Sequence, residues 1–426
     1  MTINKLSLLQ LLVLVALFLS PKLSTAQAGM AAVPFLQINS TPYENAMAGA
    51  FTALPSNSVY AAWYNPAQLG YNPGYSVAID YSPKSTWLSA FRSAGLGLIN
   101  IGTRYHQTSL LKNKIIDWGA SLHYNKFDFG TQSQTDEIGN EIGRFSSYDE
   151  VISFSLGAGV EITKGFRFSA GYTLKYVKSI LVPSGYFVGE NNNINQPSIF
   201  AHDFGIIADV SWLEKFTVFT NNPNFSPFIH TRLGYAAKNI AGPMKYEENG
   251  QEDPLPRTIQ IGVSTSFGFS TQLNDKSIEM ISIHLSREVR DLALKTNPNS
   301  QFNADSSNIL NRRFVYQPIW GSDINYIENL VQGKHDDLVQ VNEGVRFNIF
   351  ETFEYSYGRY FGGGYEGINR AQGFALSLNG LKKVILDDYF PVLKPFSFRY
   401  YQSTLKYSDY FTRKAQFSGF ELSYTF

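Results

Sequence analysis

Residues able to do chemistry are few and scattered. Six histidines, His106, His123, His202, His230, His284 and His335, are the side chains that titrate nearest neutrality. No two of them have the spacing of a helical zinc pair such as HExxH. A Ser–His relay could be assembled only across strands, which spacing alone does not reveal. His123, His202, His230 and His284 fall in strand-like segments and read as lumen-facing or rim polar residues. His335-Asp336-Asp337 and the Asn/Asp-rich run from Asn297 to Asn308 could offer oxygens to calcium. The second lacks the Asp-x-Asp-x-Asp-Gly order with a distal Glu, so it reads as a solvated loop. Gly362-Gly363-Gly364 has no following Lys-Ser/Thr and no helix, so a surface loop is preferred over a phosphate cradle. The aromatic run Tyr355, Tyr357, Tyr360, Phe361 and Tyr365 could stack on a ligand at an outer rim. An interfacial girdle is the simpler reading. Without cysteine there is no thiolate ligand, no cysteine nucleophile and no disulfide. The expectation is a non-enzyme with no catalytic residue, no metal site and no cofactor.

The elements that would position such residues are mostly strands. The chain has 426 residues, 35 basic and 35 acidic, so no charge excess offers itself to nucleic acid. Charged residues make up only 16% and aromatics 15%, with 26 Tyr, 33 Phe and 34 Gly. That balance suits lipid-facing and interfacial aromatics better than a cytosolic enzyme. Residues 1–28 read as a signal peptide: Lys5, the apolar Leu6–Leu19, Pro21, then cleavage after Ala26 or Ala28. The apolar run is shorter than the roughly 20 residues a spanning helix needs.

From about Tyr75 onward the pattern has period two. In Thr258–Phe269, Ile259, Ile261, Val263, Phe267 and Phe269 share one face, and Gln260, Gly262, Ser264, Ser266 and Gly268 the other. Ile152, Phe154 and Leu156 alternate with Ser153, Ser155 and Gly157. The next segment places Arg167 and Lys175 opposite an apolar face. About fourteen such segments fill 73–426, near 75–83, 94–106, 114–128, 148–163, 165–182, 199–213, 225–239, 257–270, 276–288, 338–350, 351–361, 370–381, 395–407 and 415–426. An all-β, transmembrane antiparallel barrel is the expected fold, with Arg167, Lys175, Glu161 and Glu421 facing its lumen. The long irregular stretches 129–147, 183–198, 240–256 and 289–337 all follow odd-numbered strands. Tight turns near 164–165, 274–275 and 350–351 follow even ones. Outward loops longer than periplasmic turns match an outer-membrane barrel of a Gram-negative bacterium. The stretch 380–394 is long for a periplasmic connection and is expected to hold a small helix. The last strand ends on Phe426, like the signal read by the barrel assembly machinery.

Residues 29–72 differ from the rest. Thr41, Pro42 and Glu44 look like a helix start with a capping box. Tyr43, Met47, Ala50 and Leu54 would share a face, and Pro55 would end the helix. Its small residues suit close packing, and Trp63-Tyr64-Asn65-Pro66 follows as an aromatic turn. A short helix needs something to pack on, and the lumen is the available place. Tyr43, Met47, Phe51, Trp63, Asn65 and Pro66 are the expected hatch residues.

Ala32-Val33-Pro34-Phe35-Leu36-Gln37-Ile38, Ala46-Met47-Ala48-Gly49-Ala50 and Tyr64-Asn65-Pro66-Ala67 resemble the N-terminus of the PorV proteins, within the FadL-like outer-membrane superfamily. Pro254–Ile259 and Gly344–Leu378 add weaker similarity. An arginine usual near Glu44-Asn45 in that family is absent here. The resemblance implies a 14-stranded barrel with the N-terminal segment folded into its lumen. It also implies a role in type IX protein secretion of Bacteroidota, with a translocon subunit, exported cargo and outer-membrane lipids as partners. The 289–337 connection would then be the partner loop, with Arg312, Arg313, Tyr316 and Trp320 as its candidate contacts. The alternative is transport of hydrophobic small molecules. An apolar channel beside Met47 and Phe51 would favour transport, and a filled lumen would favour secretion.

Overall fold

The computed structural model describes residues 31–39, 41–71, 74–86, 97–111, 114–181, 196–212, 225–246, 252–273, 276–296, 314–319, 325–332, 339–362, 368–386, 389–407 and 414–426. The expected signal peptide lies outside them. Fourteen strands form one closed antiparallel barrel. They are β1 Ser76–Thr86, β2 Gly97–Leu111, β3 Lys114–Thr135, β4 Glu141–Thr163, β5 Phe166–Ile180, β6 Ser198–Ser211 and β7 Phe225–Ile240. The circuit continues with β8 Thr258–Leu273, β9 Lys276–Leu292, β10 Val339–Ile349, β11 Phe353–Gly362, β12 Ile368–Ser377, β13 Phe396–Tyr407 and β14 Lys414–Thr425. Each strand pairs with its neighbours in sequence, and β14 closes on β1.

The period-two pattern decides which way each strand faces. Ile79, Ile101, Leu122, Phe154, Phe204, Leu233, Phe269, Phe347 and Phe420 are exposed on the outer wall. Asp80, Lys175, Asp203, Glu288 and Glu421 are buried inside. Apolar side chains outside and charges inside invert a soluble core, and the wall has no open edge. This is an outer-membrane barrel. The short turns and both ends of the barrel strand order, Ser76 and Thr425, lie at the periplasmic end.

Several connections differ from the sequence expectation. The stretch 129–147 is mostly strand: β3 and β4 run on as a hairpin to a tight turn at 136–140, where Asp136 accepts from the Asn140 and Ile138 amides at 2.7 and 3.1 Å. Residues 379–393 hold three short helical turns. The connection after β7 carries a small hairpin, Pro243–Lys245 against Glu252–Pro254. The connection after β9 pairs Leu294–Thr296 with Phe314–Tyr316 and then forms the helix Tyr326–Gln332.

Candidate functional site

The N-terminal segment crosses the lumen from the extracellular to the periplasmic end. Ala32 donates to the Pro254 carbonyl of an extracellular connection at 2.8 Å. At the other end Gly70 lies under Arg167, near the periplasmic start of β5. The long helix expected from Thr41 to Leu54 is not formed. Only Pro42–Asn45 (α1) is helical, followed later by Ala61–Tyr64 (α2). Ala48 and Gly49 take φ of 54° and 68°, which stops a right-handed helix. The capping box is not made either. Thr41 Oγ1 bonds the Tyr64 hydroxyl at 2.8 Å, and Glu44 accepts from Ser56 Oγ at 2.8 Å. Inside the barrel, wall side chains satisfy the backbone groups that a helix would satisfy itself.

The wall is thinned to bare backbone where this hatch presses on it. A Cβ on Gly344 would meet Met47 at 2.7 Å, and one on Gly262 would meet Thr52 at 3.2 Å. At Gly205 it would overlap Asn65, and at Gly358 it would overlap the Met47–Ala48 peptide. Gly119, Gly157, Gly171 and Gly205 stand opposite one another across β3 to β6. Gly234 faces Gly262, and Gly344 faces Gly358. These glycines are needed for close approach rather than for turning.

Charged wall groups then clamp the hatch. Arg290 donates to Glu288 at 2.6 Å, to Asn39 Oδ1 at 2.9 Å and to the Gly49 carbonyl at 2.8 Å. The other Glu288 oxygen accepts from the Thr52 amide at 2.8 Å. Arg104 donates to the Ser58 carbonyl at 2.7 Å, and the Val59 amide donates to Glu421 at 3.0 Å. Arg346 donates to the Tyr43 hydroxyl, which itself donates to Glu354 at 2.6 Å. The Tyr43 hydroxyl thus accepts and donates at once, tying the hatch to both β10 and β11. Asn65 donates to the carbonyls of Thr52, Ile206 and Tyr235. Inside the low-dielectric lumen such charge-assisted bonds are stronger than neutral ones, and leaving any one unpaired is costly.

The lumen is divided by character. Towards the extracellular end, Leu98, Phe127, Val151, Val177 and Ala201 of β2 to β6 share one apolar cluster with Ala371, Leu405, Ala415 and Phe417 of β12 to β14. Met244 and Leu255 of the connection above complete it. The hatch tip, Ala32–Ile38, occupies this chamber, with Phe35 stacked on Phe127 at 6.1 Å. Towards the periplasm the lumen is polar. Arg167 pairs with Asp117 at 2.5 Å, and Arg232 with Asp209 at 2.8 Å.

The hatch residues named from sequence all lie in this assembly. Met47 and Phe51 are fully buried at its centre. Trp63 sits under the ammonium groups of Lys175 and Lys238, at 4.6 and 5.6 Å. Pro66 packs on Gly171. Of the partner-loop residues, Arg312, Arg313 and Trp320 lie outside the described residues. Tyr316 is half-buried, packed under the Arg257 guanidinium at 4.0 Å. Lys175 and Glu421 are buried in the lumen and Arg167 is partly so, but Glu161 is exposed at the periplasmic rim, bonding the Gly165 amide. His123 is buried inward and bonds the Val59 carbonyl at 2.9 Å. His202 faces outward and bonds Tyr172 at 2.6 Å. Tyr355 is on the outer wall, whereas Tyr360 turns inward and bonds Asn39 and Asn45. His335 to Asp337, the 297–308 run and Gly363, Gly364 and Tyr365 lie outside the described residues.

His284 is flanked by two serines, Ser266 at 2.8 Å from Nδ1 and Ser282 at 3.0 Å from Nε2. Glu279 bonds Ser282 rather than the imidazole's second nitrogen, so the order of a nucleophile–base–acid relay is not met. Among the described residues no cluster of three or more His, Asp or Glu could hold a metal ion. Sequence reasoning missed Arg290, Glu288, Arg104 and Arg346. Their one signal was a charge on the polar face of a strand, which does not say what it bonds.

No family model matches the chain, and no curated protein matches its sequence. Solved structures do match. The Ralstonia pickettii toluene transporter TbuX aligns with a TM-score of 0.43 and 12% identity, over 90% of this chain and 98% of that one. The Pseudomonas putida toluene transporter TodX gives 0.41 and 12%, over 95% and 99%. A Pseudomonas aeruginosa FadL homologue gives 0.41 and 10%, over 94% and 100%.

Proposed function

We propose that this barrel takes hydrophobic small molecules across the outer membrane through a hatch-closed lumen. The observation that carries the reading is the apolar chamber in the extracellular half of the lumen. A barrel that only needed filling could use polar side chains there, as it does on the periplasmic side. Apolar walls drawn from eight strands instead favour a guest that leaves water. Phe35 and Leu36 of the hatch occupy that place, and their withdrawal would open it. The test is uptake of a medium-chain fatty acid into vesicles holding the purified protein. Phe35→Ala with Leu36→Ala should raise uptake several-fold, and Val151→Asp should abolish it. Uptake equal to that of empty vesicles for every form would overturn the reading.

A second reading, a component of type IX protein secretion that docks translocon and cargo, is favoured by a different observation. The connection after β9 folds over the outer wall: Tyr235 donates to the Ile319 carbonyl, Tyr326 to Asp291 at 3.3 Å, and Leu330 packs on Val289, Val339 and Val341. The hatch level is also filled at Met47 and Phe51. Deleting the gene should then block cargo export; unchanged export would remove this reading.

A further inference from the structure

Strand register places a row of cations on the outer wall near its extracellular end. Arg359 of β11 stands opposite Arg370 of β12, Arg370 opposite Lys406 of β13, and Lys406 opposite Lys414 of β14. All four point outward, because Gly358, Ala371, Leu405 and Ala415 beside them point into the lumen. Arg359, Arg370 and Lys414 are exposed and Lys406 is partly so. Neighbouring strands lie about 4.8 Å apart, and like charges directly opposite destabilise a sheet. Elsewhere the same wall avoids that cost by interleaving acids. Across β3 to β5 the row reads Lys126, Glu150, Lys178, and across β9 to β11 it reads Arg287, Glu343, Arg359. Beyond Arg359 the alternation stops. Arg359 still has Glu343 across from it on β10, but no ion pair among the described residues neutralises Arg370, Lys406 or Lys414; Lys406 bonds Gln372 at 3.2 Å, and Arg359 bonds Tyr357 at 3.3 Å.

The rows beneath add a second, independent feature. One pleat repeat towards the membrane stand Tyr357, Gln372, Thr404 and Gln416, again in register. Two repeats further down the same four strands present Phe353, Leu376, Tyr400 and Phe420. The outer wall therefore passes from apolar to hydrogen-bonding to cationic over about 20 Å or less along the strands. An acyl chain, a sugar and a phosphate, stacked in that order, match these rows. We propose that the β11–β14 face binds a phosphorylated glycolipid of the outer leaflet, with Arg359, Arg370, Lys406 and Lys414 on its phosphates. Arginine's planar fork suits bidentate phosphate contact, and the two lysines supply point charge. The inference rests on neither functional reading above.

The experiment uses the full-length mature protein in zwitterionic detergent, with bisphosphorylated lipid A as probe. Wild type should bind it at least tenfold more tightly than lipid A stripped of phosphate, and the preference should fall with salt. The variant Arg359→Gln/Arg370→Gln/Lys406→Gln/Lys414→Gln should lose the preference. The charge-keeping variant Arg359→Lys/Arg370→Lys/Lys406→Arg/Lys414→Arg should retain most of it. Equal binding of both lipids by wild type would overturn the proposal, and that comparison needs no variant to fold. Displacement of lipid A by equimolar inorganic phosphate would assign the row to free anions and overturn it. Tighter binding of an acidic peptide than of lipid A would assign it to protein docking and overturn it as well.

Discussion

At the residue scale, closure of the lumen depends on a few buried charges that bond the hatch backbone. Arg290 joins Glu288, Asn39 and the Gly49 carbonyl, and Glu288 in turn holds the Thr52 amide. Both side chains are almost wholly buried. Removing one partner of such a pair leaves the other charge unpaired, which costs about 3–5 kcal/mol. Arg290→Gln should therefore loosen the hatch about as much as truncating one of its large buried apolar side chains. Because the chain has no cysteine, Ala53→Cys supplies a single buried reporter in the hatch. Its labelling by a water-soluble maleimide should speed up roughly a hundredfold or more in the Arg290→Gln background, the factor that about 3 kcal/mol implies. Unchanged labelling would mean that the clamp does not hold the hatch. Such partnerships were not legible in the sequence. Arg290 and Asn39 are 251 positions apart, and only the closed register of fourteen strands brings them together.

At the element scale, the strands could be read and the hatch's conformation could not, for one physical reason. A lipid-facing strand must alternate apolar with polar, so its own letters declare it. That is why the spans around Thr258–Leu273 and Phe396–Tyr407 were recognisable to within a few residues. The β3–β4 hairpin was underestimated because Thr131 to Arg144 project past the membrane, where both faces are wet and alternation fades. The hatch is buried almost throughout, with only Pro34 and Asn57 exposed among its described residues, so no face of it alternates. Its small residues looked like a helix, but they serve the wall: Ala46 lies on Gly373, and Met47 and Ala48 on Gly344 and Gly358. Wall glycines at matching register would have been the informative pattern, once strands are aligned by their turns. Gly344→Val tests this. Its side chain would need the space of Met47, and overpacking of this kind costs about 1–3 kcal/mol. The barrel should still form and resist unfolding in detergent, since the new methyls disturb no ladder hydrogen bond. The hatch should shift, seen as new protease cleavage between residues 39 and 71. A variant whose hatch stays as resistant as wild type would show that the wall and hatch do not interlock there.

At the scale of the whole molecule, three features give the barrel a direction. The last strand, β14, pairs with the first beside the turns at 164–165 and 350–352, while the chamber, the cationic row and the long connections lie at the other end. Strand length sharpens this. β3 has 22 residues and β4 has 23. At about 3.3 Å per residue and a tilt of about 40°, each climbs roughly 55 Å, against an apolar band of about 25 Å. The excess must stand clear of the bilayer at one end. The exposed, mostly polar run from Thr131 to Arg144 shows which end that is. Asp136 braces the hairpin tip through its own turn, so a tip insertion should leave the barrel intact. An epitope placed after Gly139 should therefore be detected by antibody on intact cells. The same epitope placed between Lys164 and Gly165 should be detected only after the outer membrane is permeabilised. The opposite result would invert the orientation. It would then put the apolar chamber and the cationic row at the periplasmic end, where neither an external hydrophobic guest nor an outer-leaflet phosphate could reach them first.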